Sequence, residues 1–221
     1  MEQLIYLPVL ILAVVVHECA HGLVAKWCGD DTAYREGRIT LNPISHVDLW
    51  GTIIVPLVLA LSSAGLMFGW AKPVPVNPNN FRHFRRDDIL VSMAGPASNF
   101  IIAFISALFI VLLSLVWKAA SPESASSMQF GEFALELFKH SIQINLYLAL
   151  LNLIPIPPLD GSHVIANLLP PHLGEQYRSL GFIGIFILIV MISIGVINAA
   201  IDPFIEYLIG LLNAFIVMLA S

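Results

Sequence analysis

VVVHECAHGLVAKW, residues 14–27, places two histidines and a glutamate inside a run that otherwise reads as a membrane-spanning helix. Ionisable side chains are costly in hydrocarbon and mark function when they occur there. Positions i and i+4 of a helix share a face, so His17 and His21 can close on one metal ion from the same side. Glu18 sits beside them, within reach of a metal-bound water. In the H-E-x-x-H arrangement zinc acidifies that water, and the glutamate takes its proton as the water attacks a carbonyl. The plainer alternative is two buried histidines and a glutamate satisfying one another between helices. The cost of burying them in an apolar helix weighs against it.

The rest of the chain agrees with a bilayer setting. Of 221 residues, 58% are hydrophobic and 11% charged, against about 25% charged in an ordinary soluble domain. Residues 4–16, 50–68, 89–117, 144–156 and 180–220 carry almost no charge, and runs of about 20 apolar residues cross a bilayer as helices. The sequence therefore predicts an all-α polytopic membrane protein, one membrane-embedded domain over 1–221. The N-terminal run lacks a basic start and a small-residue cleavage site, so it is expected to be a retained first helix. A net charge of −5 gives no reason to expect a nucleic-acid partner. Two cysteines, Cys19 and Cys28, make no disulfide framework, and Cys19 lies on another helix face from the histidines.

A catalytic zinc site needs a third protein ligand and an open position for water. The candidate is in NLIPIPPLDGSH, residues 152–163. Asp160 follows an apolar helix broken by Pro155, Pro157 and Pro158. Prolines at membrane depth free backbone groups and are tolerated where the chain lines a cavity. A carboxylate at such a break is well placed to meet a metal. Alternatively, Asp160 and Gly161 form only a turn ahead of a short helix.

Together these elements resemble the site-2 protease family of intramembrane zinc metalloproteases, over most of the chain. HECAH is similar to the family's zinc helix, and NLIPIPPLDG to its N-x-x-P-x-P-x-x-D-G signature. AGPASNF, residues 94–100, resembles its G-P-x-x-N element. GRITLNPISHVD and GWAKPVPVNPNNFR are similar to segments of its small prokaryotic members, and neither a PDZ-like nor a CBS-like insertion is expected. The resemblance implies one Zn2+ per chain held by His17, His21 and Asp160, with Glu18 as catalytic base. It implies that Asn152 stabilises the oxyanion and that Asn99 supports the site. His163 is a further supporting candidate, three residues beyond Asp160. The implied function is intramembrane proteolysis of a transmembrane protein or peptide substrate in a lipid bilayer.

Topology offers a check. His17 and His21 lie in the second half of a first helix at 4–27, and Asp160 follows a helix near 133–155. The two helices must run the same way for the ligands to meet, so one of the segments 50–68 and 89–117 does not cross. GTIIVPLVLALSSAGLMFG, rich in Gly, Pro and Ser, suits a re-entrant hairpin near 50–68. That arrangement keeps Lys26, Arg35, Arg38, Lys72, Arg82, Arg85 and Arg86 on one face, the cytoplasmic one. Two more helices are expected near 179–199 and 202–220, with Asp202 and Pro203 between them. The total is about five to six membrane segments in a multi-pass cell-membrane protein whose active site faces the cytoplasmic side.

Hydrolysis also needs water and an unwound substrate. Asn42, Asn77, Asn79, Asn80 and KPVPVNP suit a wet cleft. In GRITLNP, Ile39 and Leu41 alternate with Thr40 and Asn42, which predicts a short β-strand near 36–42 whose edge binds extended substrate. Two rival classes use the same residues: a membrane metal transporter, and a non-catalytic scaffold that binds membrane proteins. The first needs further acidic or histidine residues along the spans, and 89–117 and 180–200 carry almost none. The second usually shows a broken motif, and this one is intact.

Overall fold

A computed structural model describes residues 2–55, 58, 69–120 and 125–220. Helix α1 runs Glu2–Cys28 and ends at Gly29, whose positive φ of 114° turns the chain. A methyl at Gly29 would also come within 2.9 Å of the Asn80 carbonyl, so the turn is sterically reserved. After a one-turn α2 (Thr32–Arg35) the chain winds through short turns at Pro43–His46, Leu49–Ile54 and Pro78–Asn80. Helices α3 (Phe84–Ala120) and α4 (Ala125–Asn152) follow. Beyond the proline break come α5 (Asp160–Leu168), α6 (Pro171–Ser179), α7 (Gly181–Ser193) and α8 (Val196–Ala220).

Contacts give the helix directions. His21 meets Val91, and His17 and the Ala13 carbonyl meet Asn99, so α1 and α3 are antiparallel. Asn99 meets Asn145 and Ser106 meets Ser141, so α3 and α4 are antiparallel too. Helices α1 and α4 therefore run the same way, and Asp160 emerges at the level of the histidines. Residues 29–83 leave and return at one end of the bundle, where the Arg82 N–H donates to the Cys28 carbonyl at 3.1 Å.

Packing combines small residues with a polar spine. Ala103 and Ala107 of α3 let α4 approach, burying Ile110, Ile142 and Leu146, while Leu208, Leu212 and Ile216 of α8 close over them. Small residues are what let helices approach in lipid. Asn99 and Asn145, both almost fully buried, join three helices. The Asn99 Nδ2 donates to Asn145 Oδ1 at 2.8 Å and to the Ala13 carbonyl at 3.3 Å, and Asn145 Nδ2 donates to the Ser141 carbonyl at 2.9 Å.

Three expectations need correction. Among the described residues three helices are long and apolar enough to cross a membrane, or four if the α6–α7 pair, bent by 62°, is one span. These residues do not support the count of five to six. Helix α4 is long, but its first sixteen residues include Glu132, Glu136, Lys139 and His140, which lowers its hydropathy. The described residues contain no strand, and 39–41 is a series of bends. The Thr40 carbonyl is taken by Cys19 Sγ and His46 Nε2, and the Asn42 side chain caps the Ile44 N–H. Local capping thus wins over a four-residue alternation. Last, the break between α7 and α8 falls at Gly195 (φ 75°), and Asp202 and Pro203 lie inside α8. Most of the expected hairpin at 50–68 lies outside the described residues.

Asn145→Val leaves the Asn99 amide with only the longer Ala13 contact. We expect a loss of about 1 kcal/mol, seen as a lower unfolding midpoint in detergent, with the helical content unchanged.

Candidate active site

His17, His21 and Asp160 converge. Their ligand atoms all lie within 4.8 Å of one another, the one such group of His, Cys, Asp and Glu among the described residues. His17 Nε2 is 3.0 Å from His21 Nε2, and Asp160 Oδ2 is 3.1 Å and 3.4 Å from the two. The far ring nitrogens decide what these atoms can do. His21 Nδ1 is 2.7 Å from the Val91 carbonyl, which only accepts, so Nδ1 carries the hydrogen. His17 Nδ1 is 2.6 Å from Asn99 Oδ1. The Asn99 amide nitrogen faces the Ala13 carbonyl, so its oxygen must face the ring, and Nδ1 again donates. Both Nε2 atoms of the neutral rings then present lone pairs.

Asp160 Oδ2 is buried and accepts no hydrogen bond. Three electron pairs thus face one point with no proton of their own between them. In a tetrahedral zinc site with bonds of about 2.0–2.1 Å, neighbouring ligand atoms sit about 3.3 Å apart. The observed spacing of 3.0–3.4 Å matches that geometry. Two His and one Asp form a donor set that suits zinc and leaves a fourth position open.

Helix α3 makes room for this cluster. A methyl on Gly95 would sit 2.4 Å from His21 Nε2 and 2.5 Å from His17 Nε2. The histidines lie 7 and 11 residues before the end of α1, roughly 10–17 Å along the axis. Beside them opens a cavity of about 1550 Å³, lined by Glu18, Asn152, Tyr147 and the extended segment 69–78 and walled on its far side by α7 and α8. It exceeds the roughly 300–1000 Å³ of an ordinary small-molecule pocket.

Glu18 faces this cavity with one carboxylate oxygen accepting the Val74 N–H at 2.8 Å. The Val74 segment is itself pinned. Buried Arg38 donates to the Lys72 and Pro73 carbonyls at 3.0 and 3.1 Å, and the Lys72 N–H donates to the His46 carbonyl at 2.9 Å. Fully buried Asp30 anchors the other end by accepting from Asn77 N–H, Asn80 Nδ2 and Thr32. Burial pushes Asp30 up, but these hydrogen bonds outweigh it and hold the carboxyl below its usual range.

Not every candidate from the sequence reaches the metal cluster. Asn152 lines the cavity, its amide turned back to the Leu148 carbonyl at 3.0 Å. His163 lines the cavity but its Nδ1 faces Asp88. Ile39, Thr40, Leu41 and Asn42 do not line it; Ile39 packs towards Gly22 behind the wall. Asn77 and Asn80 serve loop turns and Asp30. The Val91 carbonyl and Asn145 carry no motif that marks them in the sequence. Gly95 lies in the G-P-x-x-N element, and Arg38 and Val74 lie in the two segments similar to small prokaryotic members, but their roles depend on tertiary partners.

Residues 5–194 match Peptidase family M50. The chain is 41% identical to "Putative zinc metalloprotease YwhC" of Bacillus subtilis, over 86% of this chain and 86% of that protein. It is 29% identical to "Putative zinc metalloprotease Rip2" of Mycolicibacterium smegmatis, over 81% of this chain and 64% of that protein. No solved structure matches. This chain belongs to peptidase family M50, the site-2 proteases.

Two outcomes follow from the geometry. Gly95→Ala should remove most bound zinc from the purified protein, read by metal analysis, because its methyl displaces both imidazoles. Arg38→Gln should leave zinc content unchanged while lowering kcat on a model substrate by roughly ten- to a hundredfold, through a misplaced Glu18.

Proposed function

We propose that this protein cuts a peptide bond in or beside a transmembrane segment of another membrane protein, acting as a single membrane-embedded zinc protease domain. Membership of the site-2 protease family makes it a membrane metalloprotease that uses zinc. The observation that carries the residue roles is the convergence of the His17, His21 and Asp160 lone pairs beside a Glu18 that faces the same cavity.

In this reading His17, His21 and Asp160 hold the zinc, which supplies Lewis-acid polarisation and an acidified water when bound. Glu18 takes the proton of the attacking water. Its second oxygen is free for that task because Val74 N–H occupies only Oε2. The same carboxyl then delivers the proton to the departing amine, so the peptide C–N bond breaks with charge balanced. Asn152 lines the cavity, and its remaining amide N–H donates to the oxygen of the substrate carbonyl as negative charge grows there. Only one of its two N–H hydrogens is needed by Leu148.

The substrate must be extended to expose a carbonyl. The unwound wall at 69–78 offers it a surface in the cavity, which Ile39, Thr40, Leu41 and Asn42 do not line. The clustering of Lys and Arg at the end where 29–83 begins and returns supports a cytoplasmic active site.

The test is metal content together with cleavage of a transmembrane peptide in detergent. Glu18→Gln should keep near one zinc per chain and lose at least a hundredfold in rate, the usual scale for removing a general base. Full activity in that variant would refute the assignment of Glu18, and absence of zinc from the wild type would refute the ligand set.

A further inference from the structure

Two of the three proposed zinc ligands are held from behind by a hydrogen bond to the imidazole nitrogen that faces away from the site. The third has no such support. Asp160 Oδ2 accepts no hydrogen bond, so the position of its carboxylate is set by the backbone that carries it. That backbone is the first residue of α5, a nine-residue helix too short to be stable alone. Whatever fixes α5 therefore fixes the ligand.

Two contacts do so. At its start, Gly161 lies so close to the preceding chain that a methyl would come within 2.2 Å of the Leu153 carbonyl oxygen. Further along, α5 is tied to α3 through one carboxylate. Asp88 is only 5% exposed. Its two oxygens lie 3.2 and 3.3 Å from His163 Nδ1, which donates to them. One oxygen also accepts from Asn167 Nδ2 and, at 3.0 Å, from the Arg178 guanidinium of α6. Arg178 donates to Asn167 Oδ1 at 2.9 Å as well, closing the ring of contacts.

The spacing makes the tie a lever on the ligand. His163 and Asn167 stand three and seven residues after Asp160, on the same helix face. Asp88 stands three, seven and eleven residues before Val91, Gly95 and Asn99. One stripe of α3 thus presents the His21 acceptor, the gap for both rings, the His17 acceptor and the anchor of α5.

We propose that Asp88 is the positioning residue of the third zinc ligand, holding α5 against α3 through His163 and Asn167 so that Asp160 faces His17 and His21. The proposal rests on the ligand set argued above. An ordinary structural anchor would lower stability and leave the metal site alone, so the deciding readouts are metal affinity and geometry.

The experiment uses the full chain in detergent. Zinc affinity is measured by chelator competition, and the visible spectrum of the Co2+-loaded protein reports ligand geometry. Asp88→Asn should weaken zinc binding by about 10–100-fold, the scale seen for groups that orient metal ligands, and should shift the Co2+ bands. Asn167→Ala should act in the same direction to a smaller degree, and decides the matter if Asp88→Asn does not fold. Asp30→Asn, at an equally buried carboxylate that holds the cavity wall but touches none of the three ligands or their helices' contacts with α5, should lower the unfolding midpoint yet leave both metal readouts unchanged. Wild-type affinity and an unchanged Co2+ spectrum in both Asp88→Asn and Asn167→Ala would overturn the proposal alone. A wild type that binds no zinc would instead overturn the ligand set, and the proposal with it.

Discussion

The hydrogen bonds from His17 Nδ1 to Asn99 and from His21 Nδ1 to the Val91 carbonyl set what the rest of the structure must do. Each fixes a tautomer, and each sends a lone pair inward. Two facing lone pairs repel, and adding the Asp160 carboxylate oxygen makes the repulsion worse. A cation in the middle would relieve that repulsion, and the support for such an arrangement is extensive. It requires a glycine on α3, a buried asparagine pair and a short helix delivered to the right level.

The same constraint explains the polar spine. Asn99 can accept from His17 only if its amide nitrogen is satisfied elsewhere, and the Ala13 carbonyl and Asn145 do that. Asn145 in turn needs Ser141. A requirement at one ring nitrogen therefore specifies the register of three helices. Around the cavity the loop backbone meets a similar demand. Irregular chain at membrane depth persists only where its polar groups are satisfied or line a cavity. Arg38, His46 and Glu18 meet that demand for the 70–76 wall by taking or giving its backbone hydrogen bonds.

What the sequence made legible were features with short-range signatures. The i, i+4 histidines, the apolar runs and the proline break before Asp160 each express a local rule, and the parallel course of α1 and α4 could be reasoned from where their ligands must meet. Features that depend on tertiary partners were hidden. The alternation in Ile39–Asn42 looked like a strand because periodicity cannot show that Cys19 and His46 claim the Thr40 carbonyl. Asp202-Pro203 looked like a break because the pair is a common turn signal, yet Gly195 already provides the turn. Asp88 drew no attention in the sequence, since nothing nearby announces His163, Asn167 or Arg178.

The division of labour between near and distant residues follows from chain geometry. The two histidines and Glu18 come from one stretch of one helix, so their mutual spacing is guaranteed by the helix itself. Asp160 comes from about 140 residues further along the chain, and its position depends on every element between. Residues 29–83 must return to their starting end, α3 and α4 must run in opposite senses, and α5 must then be rotated correctly. An error in any of these steps would leave the histidine pair intact and the metal site incomplete. The density of specific contacts rises where that accumulated uncertainty has to be removed: Arg82 on Cys28, Asn99 on Asn145, Gly161 on Leu153 and Asp88 on α5.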